Sequence, residues 1–397
     1  MMSLPFLGKR APYLLQLIIS ACLLGVTACK SSLPETTTTT GLPIAERIAA
    51  HDSAVHILDD WIRDPYIYLA DDGYYYLTGT TVQPNDPRER SEPYNTGLPA
   101  TSSENQRTPS MVGYSIRVWR SPDLIDWDYV GEPFTLDQGY WAQTDPAAFA
   151  DTPKEEWHLW APELYHVDGY WVYVHTTPAP VKGGANLVVT TNNTMNGPFA
   201  FPMGAEMRGK HDPSLFRDED GSWYLLWGNT QIVPLKPGFS GLAGEPKRID
   251  PADRKIGHEG ATLRKIGNKY VHFGTAWSTD KMRKGSYNLY YCTADNPMGP
   301  YGERRFAGRF LGHGTPFQDQ QGRWWCTAFF NANEPPLDDA GIQDRDLSNT
   351  ALTINRKGTT LVPLEVRILD DGEIFIRAKD PRYRNPGPDE AQEFGLE

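Results

Sequence analysis

The sequence predicts an all-β chain folded as a five-bladed β-propeller, and two observations carry that expectation. A hairpin signature recurs five times in a common register, and no stretch beyond residue 60 shows a long apolar pattern of helical period. The segments are "RDPYIYLADDGYYYLTG", "WAPELYHVDGYWVYVHT", "HDPSLFRDEDGSWYLLWG", "HEGATLRKIGNKYVHFGT" and "GHGTPFQDQQGRWWCTAFF", each a short strand, a glycine turn and an aromatic strand. Counted from Asp64, Ala161, Asp212, Glu259 and His313, a bulky residue follows four positions later: Tyr68, Tyr165, Phe216, Leu263 and Phe317. The turn glycine falls eight or nine later: Gly73, Gly169, Gly221, Gly267 and Gly322. Units too small to bury both faces of their sheet stack as blades around an axis. A sandwich of unrelated hairpins has no reason to keep one register.

Taken from the N-terminus, Lys9 and Arg10 precede a short apolar run, the pattern of a secretory signal over residues 1–28. "VTAC" resembles a bacterial lipobox, which implies cleavage before Cys29 and lipidation of that cysteine. Residues 29–50 then read as a tether and 51–397 as the propeller, so the expected location is an exported lipoprotein, periplasmic or on the cell surface. The stretch 83–110 is rich in Pro, Ser and Asn without a period and reads as a surface insertion in the first repeat. "SPDLIDWDYVG", "TNNTMNGPF" and "TADNPMGPY" read as outer turns of the blades, and the polar tail from Pro381 is expected to fray.

Composition narrows the partners. Aromatic residues make up 12% and charged residues 22% of the chain, too aromatic and too weakly charged for disorder or a coiled coil. The net charge of −12 becomes −14 once Lys9 and Arg10 leave with the signal, which argues against nucleic acid, whose backbone needs basic surface. Cys292 and Cys326 sit in strand-like runs and read as two buried thiols; an exported compartment permits a disulfide without requiring one.

In a propeller the innermost strands line the axis, so Asp64, Ala161, Asp212, Glu259 and His313 should converge. Three carboxylates facing one another are costly to ionise together, which favours a chemical role over a structural one. The motifs "RDPYIY", "WAPELY", "HDPSLF", "HEGATL" and "GHGTPF" resemble glycoside hydrolase family 43 over residues 60–330. The resemblance implies an inverting glycosidase of the arabinofuranosidase or xylosidase type, acting on plant or algal polysaccharide fragments, and the insertion after Val82, expected to wall one end of the cleft, points to exo action. It assigns Asp64 as general base, Asp212 as the residue that tunes and orients, and Glu259 as general acid. It places His313 beside a hydrated metal on the axis, with calcium the expected ion. Inversion needs a gap of roughly 6.5–9.5 Å between base and acid for the attacking water, and a third anion near the donor helps it keep its proton.

Trp141, Trp160 and Trp227 are candidate sugar platforms, since flat aromatic faces suit the apolar side of a sugar ring. His211 and His258 precede two of the acids, and strand alternation turns them toward the opposite face as supporting groups. Two rival readings follow from the same scaffold: a noncatalytic glycan-binding lipoprotein, and a related propeller hydrolase acting on anhydrogalactosides or galactofuranosides.

Overall fold

The computed structural model describes residues 42–83, 86, 112–282, 284–329 and 358–395. Cys29, the signal and nearly all of the 83–110 insertion lie outside these residues. Strand β1 (Val55–Leu58) comes first in the chain and joins the last blade. Four antiparallel four-stranded sheets then follow in order. Blade one is β2 (Ile62–Leu69), β3 (Tyr75–Thr81), β4 (Ser115–Ser121) and β5 (Asp128–Thr135). Blade two is β6 (His158–Val167), β7 (Tyr170–Ala179), β8 (Gly184–Thr190) and β9 (Phe199–Ala200). Blade three is β10 (Ser214–Arg217), β11 (Trp223–Trp227), β12 (Gln231–Pro234) and β13 (Lys247–Arg248). Blade four is β14 (Glu259–Ile266), β15 (Lys269–Trp277), β16 (Tyr287–Ala294) and β17 (Arg305–Gly308).

Blade five closes the ring. Its hairpin, β18 (Pro316–Gln318) and β19 (Trp324–Ala328), is followed by β20 (Thr359–Ile368), and β1 adds as the outermost strand with Val55 opposite Leu361. The second half of β20 pairs with β21 (Ile374–Ala378) instead. The all-β, five-bladed expectation is therefore met, and the three proposed outer turns do connect the third and fourth strands of blades one, two and four. In the first of them the Asp123 carboxylate accepts the amides of Ile125 and Asp126, which ties the turn locally.

Blades pack face to face, which is why their middle strands read as apolar runs: every residue of β16 is buried, and β15 is buried after its first residue. Val172 and Val174 of blade two meet Leu215 and Leu225 of blade three in one cluster, each worth about 1.5–3 kcal/mol when fully buried. Cys292 and Cys326 are buried free thiols.

Two boundaries differ from expectation. Residues 44–50, assigned to the tether, form a helix whose Ile48 is buried beside blades one and five, and Arg323 donates to the carbonyls of Ile48 and Ala49. The tail does not fray: Tyr383 is fully buried, Asp389 accepts from the Ser286 amide and pairs with Arg309 at 2.6 Å, and Glu390 accepts from the Tyr290 hydroxyl. A polar sequence can strap blade four because buried hydroxyls and an arginine there need acceptors.

Candidate active site

The site grows out of how each innermost strand begins. Opposite β3, Arg63 pairs with Thr80 and Tyr66 with Thr78; Trp160 pairs with Thr176 and Glu163 with Val174; Glu259 pairs with Thr275 and Thr262 with Phe273. Three residues on the inner strand thus advance against two on its partner, a β-bulge at the same place in three blades. The residue in the bulge takes the left-handed backbone region: Asp64 at φ 51°, Ala161 at 43° and Gly260 at 67°. Asp212 (45°) and His313 (54°) enter β10 and β18 the same way. A side chain in that region costs about 1–3 kcal/mol, so its recurrence marks positions held by their surroundings.

This register corrects the expected alignment of blade four. Gly260, not Glu259, is the counterpart of Asp64, and Leu263 matches Ile67, Leu164 and Leu215 rather than Tyr68. Glu259 belongs one position earlier, with Arg63, Trp160 and His211. Glycine is required at 260 because a Cβ there would lie 3.0 Å from Cδ2 of His313 and 3.2 Å from Oγ1 of Thr275.

Threonines from the second strands stitch the axial residues between blades. The amide of Ala161 donates to Oγ1 of Thr80 (2.7 Å), that of Asp212 to Thr176 (2.7 Å) and that of His313 to Thr275 (2.8 Å). The same hydroxyls of Thr80 and Thr176 donate to Asp64 (2.7 Å) and Asp212 (3.2 Å), so each uses its donor on an acid and its lone pair on an amide. These threonines were missed in the sequence, although "LTGT", "VHTT" and "HFGT" carry them at equivalent strand ends.

Asp64 Oδ1 lies 3.2 Å from Nδ1 of His313, and Asp212 Oδ2 lies 3.3 Å from Nε2 of His211. Glu259 accepts the hydroxyl of Tyr287. Donor atoms of His211, Asp212 and Glu259 all fall within 4.8 Å of one another. The structure thus brings the three predicted acids and His313 to one end of the axis. His211 was expected on the opposite face; the left-handed backbone at Asp212 breaks the alternation and turns both side chains into the cleft. His258 does serve as a supporting group, stacked on Trp277 at 4.1 Å, with burial holding it below the usual histidine range.

Burial raises the pKa of Asp212; His211 and His313 oppose that shift, and the neighbouring Glu259 and Asp64 add to it. For His313, burial alone would depress the ring, yet the surrounding carboxylates, Asp64 foremost, outweigh it and hold the pKa above its ordinary value.

The tryptophans separate. Trp141 is 5% exposed, its indole NH donates to the Ala185 carbonyl at 2.8 Å, and Arg208 covers its ring, so it is a core residue and not a sugar platform. Trp160 is half-buried and meets His211 edge to face at 6.0 Å, which places it at the cleft. Trp227 is half-buried under the Lys210 ammonium.

A calcium ion takes six to eight oxygen ligands. His313 offers a nitrogen ligand on a ring whose Nδ1 faces Asp64, and the carboxylates around it are engaged by Thr80, Thr176, Tyr165 and Tyr287. An ion held through His313 would therefore be a hydrated one, with the ring supplying a single nitrogen and water most of the oxygens.

A propeller with three carboxylates gathered at one end of its axis has the layout of a glycan-cleaving enzyme. The chain belongs to glycosyl hydrolases family 43, whose family model matches residues 56–360. A protein of Escherichia coli (strain K12) named for β-xylosidase activity is 32% identical over 248 residues, 53% of this chain and 42% of that one. The xylosidase/arabinosidase 43A of Humicola insolens is 28% identical over 233 residues, 44% of this chain and 67% of its own. The chain thus spans less than half the length of the Escherichia coli relative. A crystal structure of a family 43 protein from Bacillus licheniformis superposes with a TM-score of 0.54 at 19% identity, covering 84% of this chain and 58% of that one, which bears on the fold alone.

Proposed function

We propose that this protein is an exo-acting glycosidase that removes xylosyl or arabinofuranosyl residues from plant or algal oligosaccharides by a single inverting displacement. The observation that carries the reading is the convergence of Asp64, Asp212 and Glu259, each held by a hydroxyl of the scaffold, around His313 at one end of the axis. Family membership and relatives named for xylosidase and arabinosidase activities support the substrate class.

In this mechanism Asp64 takes a proton from the attacking water. The imidazole of His313 and the hydroxyl of Thr80 hold its two oxygens, so the carboxylate is aimed before substrate arrives. Glu259 donates its proton to the leaving oxygen on the outer side of the cleft, oriented by Tyr287. Asp212 lies beside Glu259, their ligand atoms and that of His211 all within 4.8 Å, and orients the acid in the cleft. Trp160 offers the sugar an aromatic face at the mouth, with Trp227 a second candidate behind Lys210. We also propose that Cys29 carries a lipid that tethers the enzyme outside the cytoplasm; the mass of the mature N-terminus tests this, and an unmodified Cys29 rejects it.

The test of function is hydrolysis of a panel of aryl glycosides and xylo- and arabino-oligosaccharides, following the anomer of the first product by NMR. Release of an inverted pentose that disappears in Glu259→Gln is the expected result. A retained anomer, or equal turnover in the variant, rejects the assignment.

A further inference from the structure

Strands β15 and β16 of blade four are joined at the end of the sheet where Glu259 stands, since Glu259 pairs with Thr275 near the end of β15. The two ends of that connection are tied to each other and to the C-terminal tail. The Ser278 amide donates to the Ser286 carbonyl at 2.8 Å, and the Asp389 carboxylate bridges the same two serines. One of its oxygens accepts the Ser286 amide (2.8 Å), the Ser286 hydroxyl (2.5 Å) and the Ser278 hydroxyl. The other pairs with Arg309 at 2.6 Å. The tail runs so close that a Cβ at Gly387 would collide with the Arg309 guanidinium. The next tail residue, Glu390, accepts the Tyr290 hydroxyl at 2.6 Å and the Asn288 side-chain amide at 3.3 Å.

Tyr287 sits between two residues that the tail holds, Ser286 and Asn288. Its carbonyl accepts the Gly312 amide at 3.0 Å, and the Asn288 side-chain oxygen accepts the Phe310 amide at 3.1 Å, so the backbone there is also fixed to the segment that enters blade five. The Tyr287 ring lies so near Gly312 that no Cβ fits at 312, and it stands 5.0 Å from Trp277. From this place its hydroxyl donates to Glu259. One step along the chain, from Ser286 to Tyr287, therefore links the Asp389 clamp to the carboxyl of Glu259. Apolar packing would cover the same surface without burying a charge, so a carboxylate at both joints of one connection needs a reason beyond cover.

We propose that Asp389 is a positioning residue for hydrolysis: by clamping Ser278 and Ser286 it fixes the backbone at Tyr287 and so aims the hydroxyl that orients Glu259. The tail thereby belongs to the acid half of the active site, although Asp389 acts only through Tyr287. The proposal rests on the reading of Glu259 as proton donor. The step it affects is cleavage of the bond between the sugar's anomeric carbon and the leaving oxygen, in which the Glu259 proton passes to that oxygen. An alkoxide leaving from an oligosaccharide needs that proton, whereas a dinitrophenolate departs without it. A loosened Tyr287 should therefore slow the first kind of substrate and spare the second.

The experiment compares wild type, Asp389→Asn, Tyr287→Phe, their double variant and Glu259→Gln on a xylo- or arabino-oligosaccharide and on a dinitrophenyl pentoside. Asp389→Asn should lower kcat about tenfold on the oligosaccharide with KM little changed, and far less on the dinitrophenyl substrate. Tyr287→Phe should show the same selectivity, and the double variant should lose no more than Tyr287→Phe alone, because both changes act through one hydroxyl. Ser286→Ala removes one donor of the clamp, leaves Asp389 paired with Arg309, and should repeat the selectivity to a smaller extent; it serves where Asp389→Asn fails to fold. A purely structural Asp389 would lower the melting temperature, depress both substrates alike and add its loss to that of Tyr287→Phe. Equal losses on the two substrates, or additive losses in the double variant, overturn the proposal while Glu259→Gln remains selective. If Glu259→Gln itself loses both substrates alike, or wild type cleaves neither, the donor reading fails and the proposal falls with it, so this control tells the two failures apart.

Discussion

In blade one the residue in the bulge is Asp64, held by Thr80 and paired with His313; in blade four it is Gly260, and the carboxylate stands one residue earlier, under the Tyr287 hydroxyl. The two strands share a backbone and differ in where the acid leaves it. Glu259 stands in register with Arg63 and Trp160, one residue before the position that Asp64 occupies in its own strand. A base that activates water and an acid that serves the leaving group flank the scissile bond and need separate positions in the cleft. Under the proposed roles, the one-residue displacement of Glu259 supplies that difference without changing the fold.

The sharpest way to break this comparison is to neutralise each acid in turn. Asp64→Asn and Glu259→Gln should each lower kcat by about a thousandfold, within the range of general acid–base catalysis, with little change in melting temperature. If azide restores turnover to one variant and not the other, the base and acid assignments separate. Near-wild-type turnover in either variant removes that residue from the mechanism.

Gly260→Ala tests the backbone half of the comparison. The added Cβ meets His313 and Thr275, and the residue must keep φ at 67°. We expect a loss of about 1–3 kcal/mol in stability and a drop in kcat, measured by thermal melts and initial rates. An unperturbed kcat would show that the His313 position tolerates displacement.

Asp212 sharpens the contrast through pH. Its folded pKa is raised, so the folded state binds a proton more readily than the unfolded state, and this contribution to stability is present at low pH and lost as pH rises through the folded pKa. Asp212→Asn should therefore be more stable than wild type near neutrality, with the advantage shrinking on acidification, while activity falls. A variant less stable at every pH would mean that the Thr176 and His211 contacts outweigh the desolvation cost.

The smallest effects separate platform from core. Trp160→Ala should raise KM with an unchanged melting temperature, and Trp141→Ala should cost about 3–5 kcal/mol in stability with KM near wild type. Urea melts and Michaelis plots on the same two proteins decide this, and a reversed pattern would exchange their roles.

The five hairpins were legible because each is local: the glycine turn, the aromatic strand and the acid near its start fall within one short window. Asp64, Asp212 and His313 were found that way, and their surroundings confirm that they share one place. Glu259 was found as a residue but misplaced by one position, since bulge register depends on φ at Gly260 and not on the spacing of apolar residues. Trp141 read as a candidate sugar platform because nothing nearby in sequence announces Ala185 and Arg208 as its partners.

The sequence alone determined the number of blades, the polar–aromatic hairpins and which carboxylates stand at the starts of the innermost strands, because short-range pattern and residue chemistry suffice for those. Tertiary structure alone decided what depends on residues far apart in the chain. Val55 closes the ring against Leu361, the tail reaches back to Ser286 and Tyr290, and threonines of one blade hold the axial residues of another. It also decided that Glu163 of "WAPEL" shares one well with Tyr66, Pro213, Thr262 and Thr315 of the other four blades. Charge balance in a well is set by what converges there, and convergence is a property of the closed ring.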